Sequence, residues 1–184
     1  MVTAETSTII TLTDEEWQQA IAMGKRRDVW AEDRHLPQTD GTYSMNHLTS
    51  HVQGAGGEIA AARYYEIKWD ATINTFRKIP DLVCCEVRST GFVRPWLRIK
   101  ETDKPGKSSW PFLSLLYVGN KTYELKGWIY GYEGMLHGYW HEPDEYSTKP
   151  EWRVPHGDEI LKPPFVLQPV LLKLRELGDM RAVS

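Results

Sequence analysis

Cysteine is almost absent from this chain. Only Cys84 and Cys85 occur among 184 residues, and they are adjacent. Neighbouring side chains on a strand point to opposite faces, so the two make a poor disulfide, and a reducing cytoplasmic setting is expected. Long apolar runs are also missing: none approaches the ~20 residues that a bilayer-spanning helix needs. The N-terminus has no basic region followed by an apolar stretch, so no secretory signal is expected. No internal repeat occurs. Phenylalanine is scarce, with four residues against eight Trp and nine Tyr, so most rings carry a polar handle suited to interfaces as well as cores. Excess positive charge is lacking as well. A net charge of -3 argues against a protein that coats nucleic acid, though it leaves room for local contacts.

What is present describes a folded chain. Hydrophobic residues make up 41% and charged residues 26%, enough for one core under an ordinary polar surface. A single domain over 1–184 is expected, with an N-terminus (1–12) that is loosely held or a short edge strand, a core over 13–130 and an irregular, aromatic- and Pro-rich tail over 131–184. Thr13-Asp14-Glu15-Glu16 is a capping box that starts a helix running to about residue 27–30. A second helix is predicted over 45–65, its buried stripe formed by Leu48, Val52, Ala55, Ile59 and Ala62. Gly54, Gly56 and Gly57 each disfavour that helix by about 1 kcal/mol relative to Ala, which points to another backbone packed closely there. Strands are predicted over 81–89, 96–100, 112–118 and 122–130, with a hairpin turn at Gly119-Asn120. A last helix is expected over 166–181. Helices first and strands after them imply an α+β domain with a mixed central sheet flanked by helices.

Three acids stand in this frame. Glu58 lies on the second helix, on the face shared by His47, His51 and Gly54 at positions i, i+4 and i+7. Glu86 and Arg88 are two apart and therefore point to one side of a strand. Asp81 is five residues from Glu86, which puts it on the opposite face of a regular strand. Asp81 can join Glu86 only if it lies before the strand or if a bulge intervenes at Leu82–Cys84, and Pro80 favours the first arrangement. Buried acids need neutralising, and hard divalent cations take carboxylate oxygens. His47 and His51 have the spacing of a zinc pair, but no Cys or third His nearby completes a set, so a polar supporting role is expected. His137 and His141 share that spacing in Gly- and Pro-rich surroundings that do not promise a helix.

The order Gly57-Glu58, Pro80-Asp81, Glu86-Val87-Arg88 resembles the PD-(D/E)XK nuclease superfamily. The run from Gly54 to Trp128 is similar to a group of small phage and bacterial proteins of that type. The similarity is carried by Gly-Gly-Glu-Ile-Ala-Ala-Ala-Arg-Tyr, Tyr-Glu-Ile-Lys-Trp-Asp, Ile-Asn-Thr-Phe-Arg, Pro-Asp, Glu-Val-Arg-Ser-Thr, Leu-Arg-Ile-Lys, Thr-Asp103 and Leu-Lys-Gly-Trp-Ile. The resemblance implies a restriction-endonuclease-like core and a Mg²⁺- or Mn²⁺-dependent DNA nuclease of phage or mobile-element origin, acting in the host cytoplasm. Asp81 and Glu86 would be metal ligands, and Glu58 a further ligand or the residue that positions the water.

Arg88 departs from the superfamily's Lys. It keeps the charge but cannot accept a proton. Either Lys100 supplies an ammonium from the next strand, or Arg88 acts as an electrostatic clamp, or cleavage has been lost. Around the acids, eight Lys or Arg fall between Arg77 and Lys107. Arg94, Arg98, Lys104 and Lys107 are the expected phosphate contacts. Two other readings compete. In one, a catalytically inactive relative binds nucleic acid or protein, and Arg88 is salt-bridged into the acids. In the other, a structural protein associates with copies of itself through its Trp- and Tyr-rich tail.

Overall fold

A computed structural model describes residues 8–33, 47–71, 80–82, 85–91, 94–145 and 147–173, the side chains of 104 and 105 excepted. The expected loose N-terminus, the final helix beyond 173 and the Leu82–Cys84 bulge lie wholly or partly outside the described residues.

The capping box forms as its sequence requires. The Thr13 N–H donates to Glu16 Oε2 at 2.7 Å, and the Glu16 N–H donates to Thr13 Oγ1 at 3.2 Å. It starts α1 (Asp14–Asp33), which packs antiparallel on α2 (His47–Tyr64). Gly24 sets their approach, since a Cβ there would lie 2.8 Å from the Val52 backbone nitrogen. In α2 every residue from Ala55 to Ala62 is buried, so this helix is covered on all sides rather than along one stripe. Gly56 and Gly57 are small because the side chains of Tyr123 and Ser89 press on them. Those contacts are side chains, not the expected backbone, and Gly54 faces open space.

The chain is α+β, with two sheets instead of one. The larger sheet has the order β1-β5-β4-β2, from β1 (Thr8–Thr11), β5 (Thr122–Tyr130), β4 (Pro111–Gly119) and β2 (Glu86–Gly91). All its pairings are antiparallel except β2 with β4, which is parallel in the register Glu86↔Phe112. The β4–β5 turn places Gly119, Asn120 and Lys121 at positive φ, as a tight hairpin requires.

The smaller sheet is antiparallel, in the order β3-β7-β6. It joins β3 (Trp96–Lys100) to β6 (Tyr139–His141) and β7 (Glu151–Pro155). The residues expected as an irregular tail thus supply α4 (Gly131–His137) and two strands, and β7 pairs directly with β3 from the expected core. One apolar core fills the space between the two long helices and the larger sheet. A second, built from Leu97, Ile99, Phe112, Ile129 and Val154, lies between the sheets. No helix among the described residues is long and apolar enough to cross a membrane.

Candidate functional site

Parallel pairing of β2 with β4 dictates where the charged residues meet. A parallel neighbour requires the chain to cross over and return to the end of the sheet where the first strand began. The return segment here contains a 3₁₀ turn, Glu101–Asp103, and the short helix α3 (Lys104–Lys107), just ahead of β4. Asp103 and Lys107 therefore arrive beside Glu86, the first residue of β2.

Glu86 is 1% exposed and has cations on both oxygens. Lys107 Nζ donates to its Oε1 at 2.9 Å, and Arg88 Nη2 lies 3.1 Å from its Oε2. The same Arg88 nitrogen donates to both oxygens of Asp103, at 3.1 and 3.0 Å. Asp103 also accepts the Lys100 backbone N–H at 2.9 Å. Burial pushes the Glu86 carboxyl above its ordinary range, helped by the charge of Asp81 and opposed by Arg88 and Lys107. For Asp103 burial acts in the same sense, but Arg88, the Lys100 N–H and Lys107 outweigh it and hold this carboxyl low.

Asp81 lies ahead of β2, where a Leu82–Cys85 bridge turns the chain into the strand. The sequence condition on Asp81 is met in this way, with the acid before the strand. Its Oδ2 accepts the Val87 N–H at 2.9 Å. Half-buried, it is raised to about 6 by desolvation and by the charge of Glu58, against the pull of Arg88, the Val87 N–H and Arg27.

Glu58 is bound from the helical side. Arg27, from α1, grips it in a two-pronged ion pair at 2.7 and 2.8 Å, and Trp69 Nε1 adds a hydrogen bond at 3.1 Å. Among the described residues, the four carboxylates (Glu58, Asp81, Glu86, Asp103) face three cations (Arg27, Arg88, Lys107), one fewer than the acids when all are ionised. Asp81 is where that shortfall is felt.

The ammonium against Glu86 belongs to Lys107, and Lys100 serves Asp103 through its backbone N–H. The expected phosphate contacts also need correcting. Arg94, Arg98 and Lys107 are all buried and do not form a solvent-facing strip, and the side chain of Lys104 lies outside the described residues. Arg98 turns inward because Glu151, fully buried, needs a counter-charge. Arg98 Nε donates to Glu151 Oε2 at 2.8 Å and its Nη2 to Ser147 Oγ at 3.0 Å. Arg153 takes the other oxygen of Glu151 at 2.8 Å and reaches on to Asp144.

Sequence reasoning missed Arg27 and Trp69 as partners of Glu58. Nothing local marks Arg27, which is 31 residues away. It passed over Asp103 and Lys107 as partners, although their i, i+4 spacing next to a Pro-Gly turn was visible. It also left His47 and His51 without a third ligand. Asp28, from α1, completes that set: one ligand atom from each of the three lies within 4.8 Å of the others. Among the described residues no other trio of His, Cys, Asp or Glu is so close, so Glu58, Asp81 and Glu86 do not share one tight cage. The aromatic tail is divided: Tyr132, Tyr139 and Trp140 are exposed, Trp128 is buried, and Tyr146 lies outside the described residues.

No family model, curated protein or solved structure matches the chain.

Proposed function

We propose that this chain is a PD-(D/E)XK-type nuclease domain that hydrolyses DNA phosphodiester bonds with Mg²⁺ or Mn²⁺ at Asp81 and Glu86. The observation that carries this reading is the unbalanced charge at Asp81. A carboxyl raised to about 6 beside Glu86 and Glu58 is a half-buried negative charge with no ion-pair partner among the described residues, and a divalent ion would supply one.

The donors fit such an ion. They are carboxylate oxygens, Asp81 is reachable from solvent, and Mg²⁺ takes one or two carboxylates while keeping several waters. A carboxylate has about four lone-pair sites, so the two contacts on Glu86 leave it able to bind further. Glu58 is the weaker third ligand, because Arg27 and Trp69 take three of its about four acceptor sites. Its part is to raise the negative potential at Asp81. A bound ion would polarise the phosphate and activate the attacking water. Lys107 supplies the ammonium that position 88 lacks, and holds positive charge beside Glu86 where negative charge develops on the phosphate. Arg88 serves as a fixed clamp, spanning Glu86 and Asp103.

One observation favours the second reading, a catalytically inactive binding module. Both oxygens of Glu86 are already ion-paired, and Arg88 is locked between two acids. Linear, circular and single-stranded DNA incubated with Mg²⁺, Mn²⁺ or EDTA separates the two. Metal-dependent cleavage that disappears in Asp81→Asn and Glu86→Gln supports the nuclease. Absence of cleavage on every substrate supports the module.

A further inference from the structure

We infer that Asp28, His47 and His51 form a binding site for a zinc-class divalent ion that clasps α1 to α2, separate in place and chemistry from the carboxylate cluster. His47 and His51 sit one turn apart at the start of α2 and face the same way, with ring centroids 4.8 Å apart at 67°. Antiparallel packing brings Asp28 against them, its Oδ1 3.2 Å from His47 Nδ1. Zinc bonds of about 2.1 Å in tetrahedral geometry put neighbouring ligand atoms about 3.4 Å apart, so this separation already matches an edge of the tetrahedron. One ligand atom of His51 lies within 4.8 Å of both partners, a gap that a side-chain rotation closes.

The donor set selects the metal. Two imidazoles and one carboxylate suit Zn²⁺, Co²⁺ or Ni²⁺, whereas Mg²⁺ prefers oxygen alone. Exposure is suitable as well: the side chains of His47 and Asp28 are 28% and 19% exposed, shielded from bulk water yet reachable. A tetrahedral ion held by these three would take water as its fourth ligand. The neighbouring residue on α1 is Arg27, which holds Glu58. Fixing Asp28 therefore fixes the turn of α1 that delivers Arg27 to the acidic cluster.

An ordinary Asp28–His47 hydrogen bond is the competing account, and His51 separates the two. The full chain, purified without a polyhistidine tag, is loaded with Zn²⁺ or Co²⁺, desalted, assayed for bound metal and melted with and without the ion. The clasp predicts about one metal per chain, a tetrahedral Co²⁺ visible spectrum and a higher melting temperature with Zn²⁺. It also predicts that His51→Ala and the milder His51→Gln, each compared with its own metal-free melt, lose stoichiometric metal and the Zn²⁺-dependent rise. The inference is overturned if wild type retains no metal after desalting, or if both His51 variants retain as much as wild type. Metal content is read without DNA, so failure here is distinct from failure of the nuclease reading.

Discussion

Replacing Asp81 with Asn should make the protein more stable while removing the function proposed for it. Asp81 has its carboxyl raised from 3.8 to about 6 by desolvation and by its negative neighbours. A folded-state value above the unfolded one means that the native state binds the proton more tightly. Stability therefore falls as pH rises through about 4 to 6, and ionised Asp81 opposes folding at pH 7. At 1.36 kcal/mol per pH unit the penalty is about 3 kcal/mol, and partial exposure of the group reduces the expected gain to about 1–3 kcal/mol. Asn keeps an oxygen to accept the Val87 N–H, so that bond survives the change. Part of the gain comes through Glu86, whose carboxyl Asp81 also pushes up. For a chain of this size the gain corresponds to a melting temperature higher by about 3–10 °C at pH 7. Thermal melts of both proteins from pH 4 to 8 read the effect, and the two curves should converge toward pH 4. A variant less stable than wild type at pH 7, or a difference independent of pH, would refute the electrostatic reasoning.

Three further substitutions test the surrounding structure. Lys107→Met leaves buried Glu86 with Arg88 alone and should cost about 2–4 kcal/mol in denaturant melts, with much of it recovered in the Lys107→Met, Glu86→Gln double variant. Arg98→Met strips Glu151 of one of its two arginines and should cost a similar ~2–4 kcal/mol, without changing metal uptake or any cleavage. Gly24→Ala improves helix propensity by about 1 kcal/mol, but its Cβ would press on the Val52 backbone. Overpacking of that kind costs ~1–3 kcal/mol, so a net loss is expected, and a more stable variant would contradict the close crossing of α1 and α2.

The parts of the fold that were legible are those fixed by local chemistry. The Thr13 capping box, the glycine-marked α2 and the β4–β5 hairpin all follow from short-range rules. The smaller sheet was not legible. Its β7, Glu-Trp-Arg-Val-Pro, does alternate polar and apolar residues, but Pro150 and Pro155 bound it and its charged Glu151 and Arg153 are buried, so the segment reads as loop. Glu58, Asp81 and Glu86 stand out in the sequence because their types and order are unusual, and Pro80 hinted that Asp81 lies before the strand. Their cations were not found. Lys107 reaches Glu86 through a parallel crossover and Arg27 reaches Glu58 through helix packing, and neither leaves a periodic trace. The basic strip failed for a related reason: sequence counts charges without showing that buried Glu86 and Glu151 draw Lys107 and Arg98 inward.

Mn²⁺-dependent cleavage of a labelled DNA panel by wild type and Asp81→Asn, with folding of both checked by melting, decides whether Asp81 serves a nuclease. Wild type should cleave, EDTA should stop it, and the more stable Asp81→Asn variant should be inactive. A folded wild type that cleaves no DNA, or an Asp81→Asn variant as active as wild type, would contradict that role.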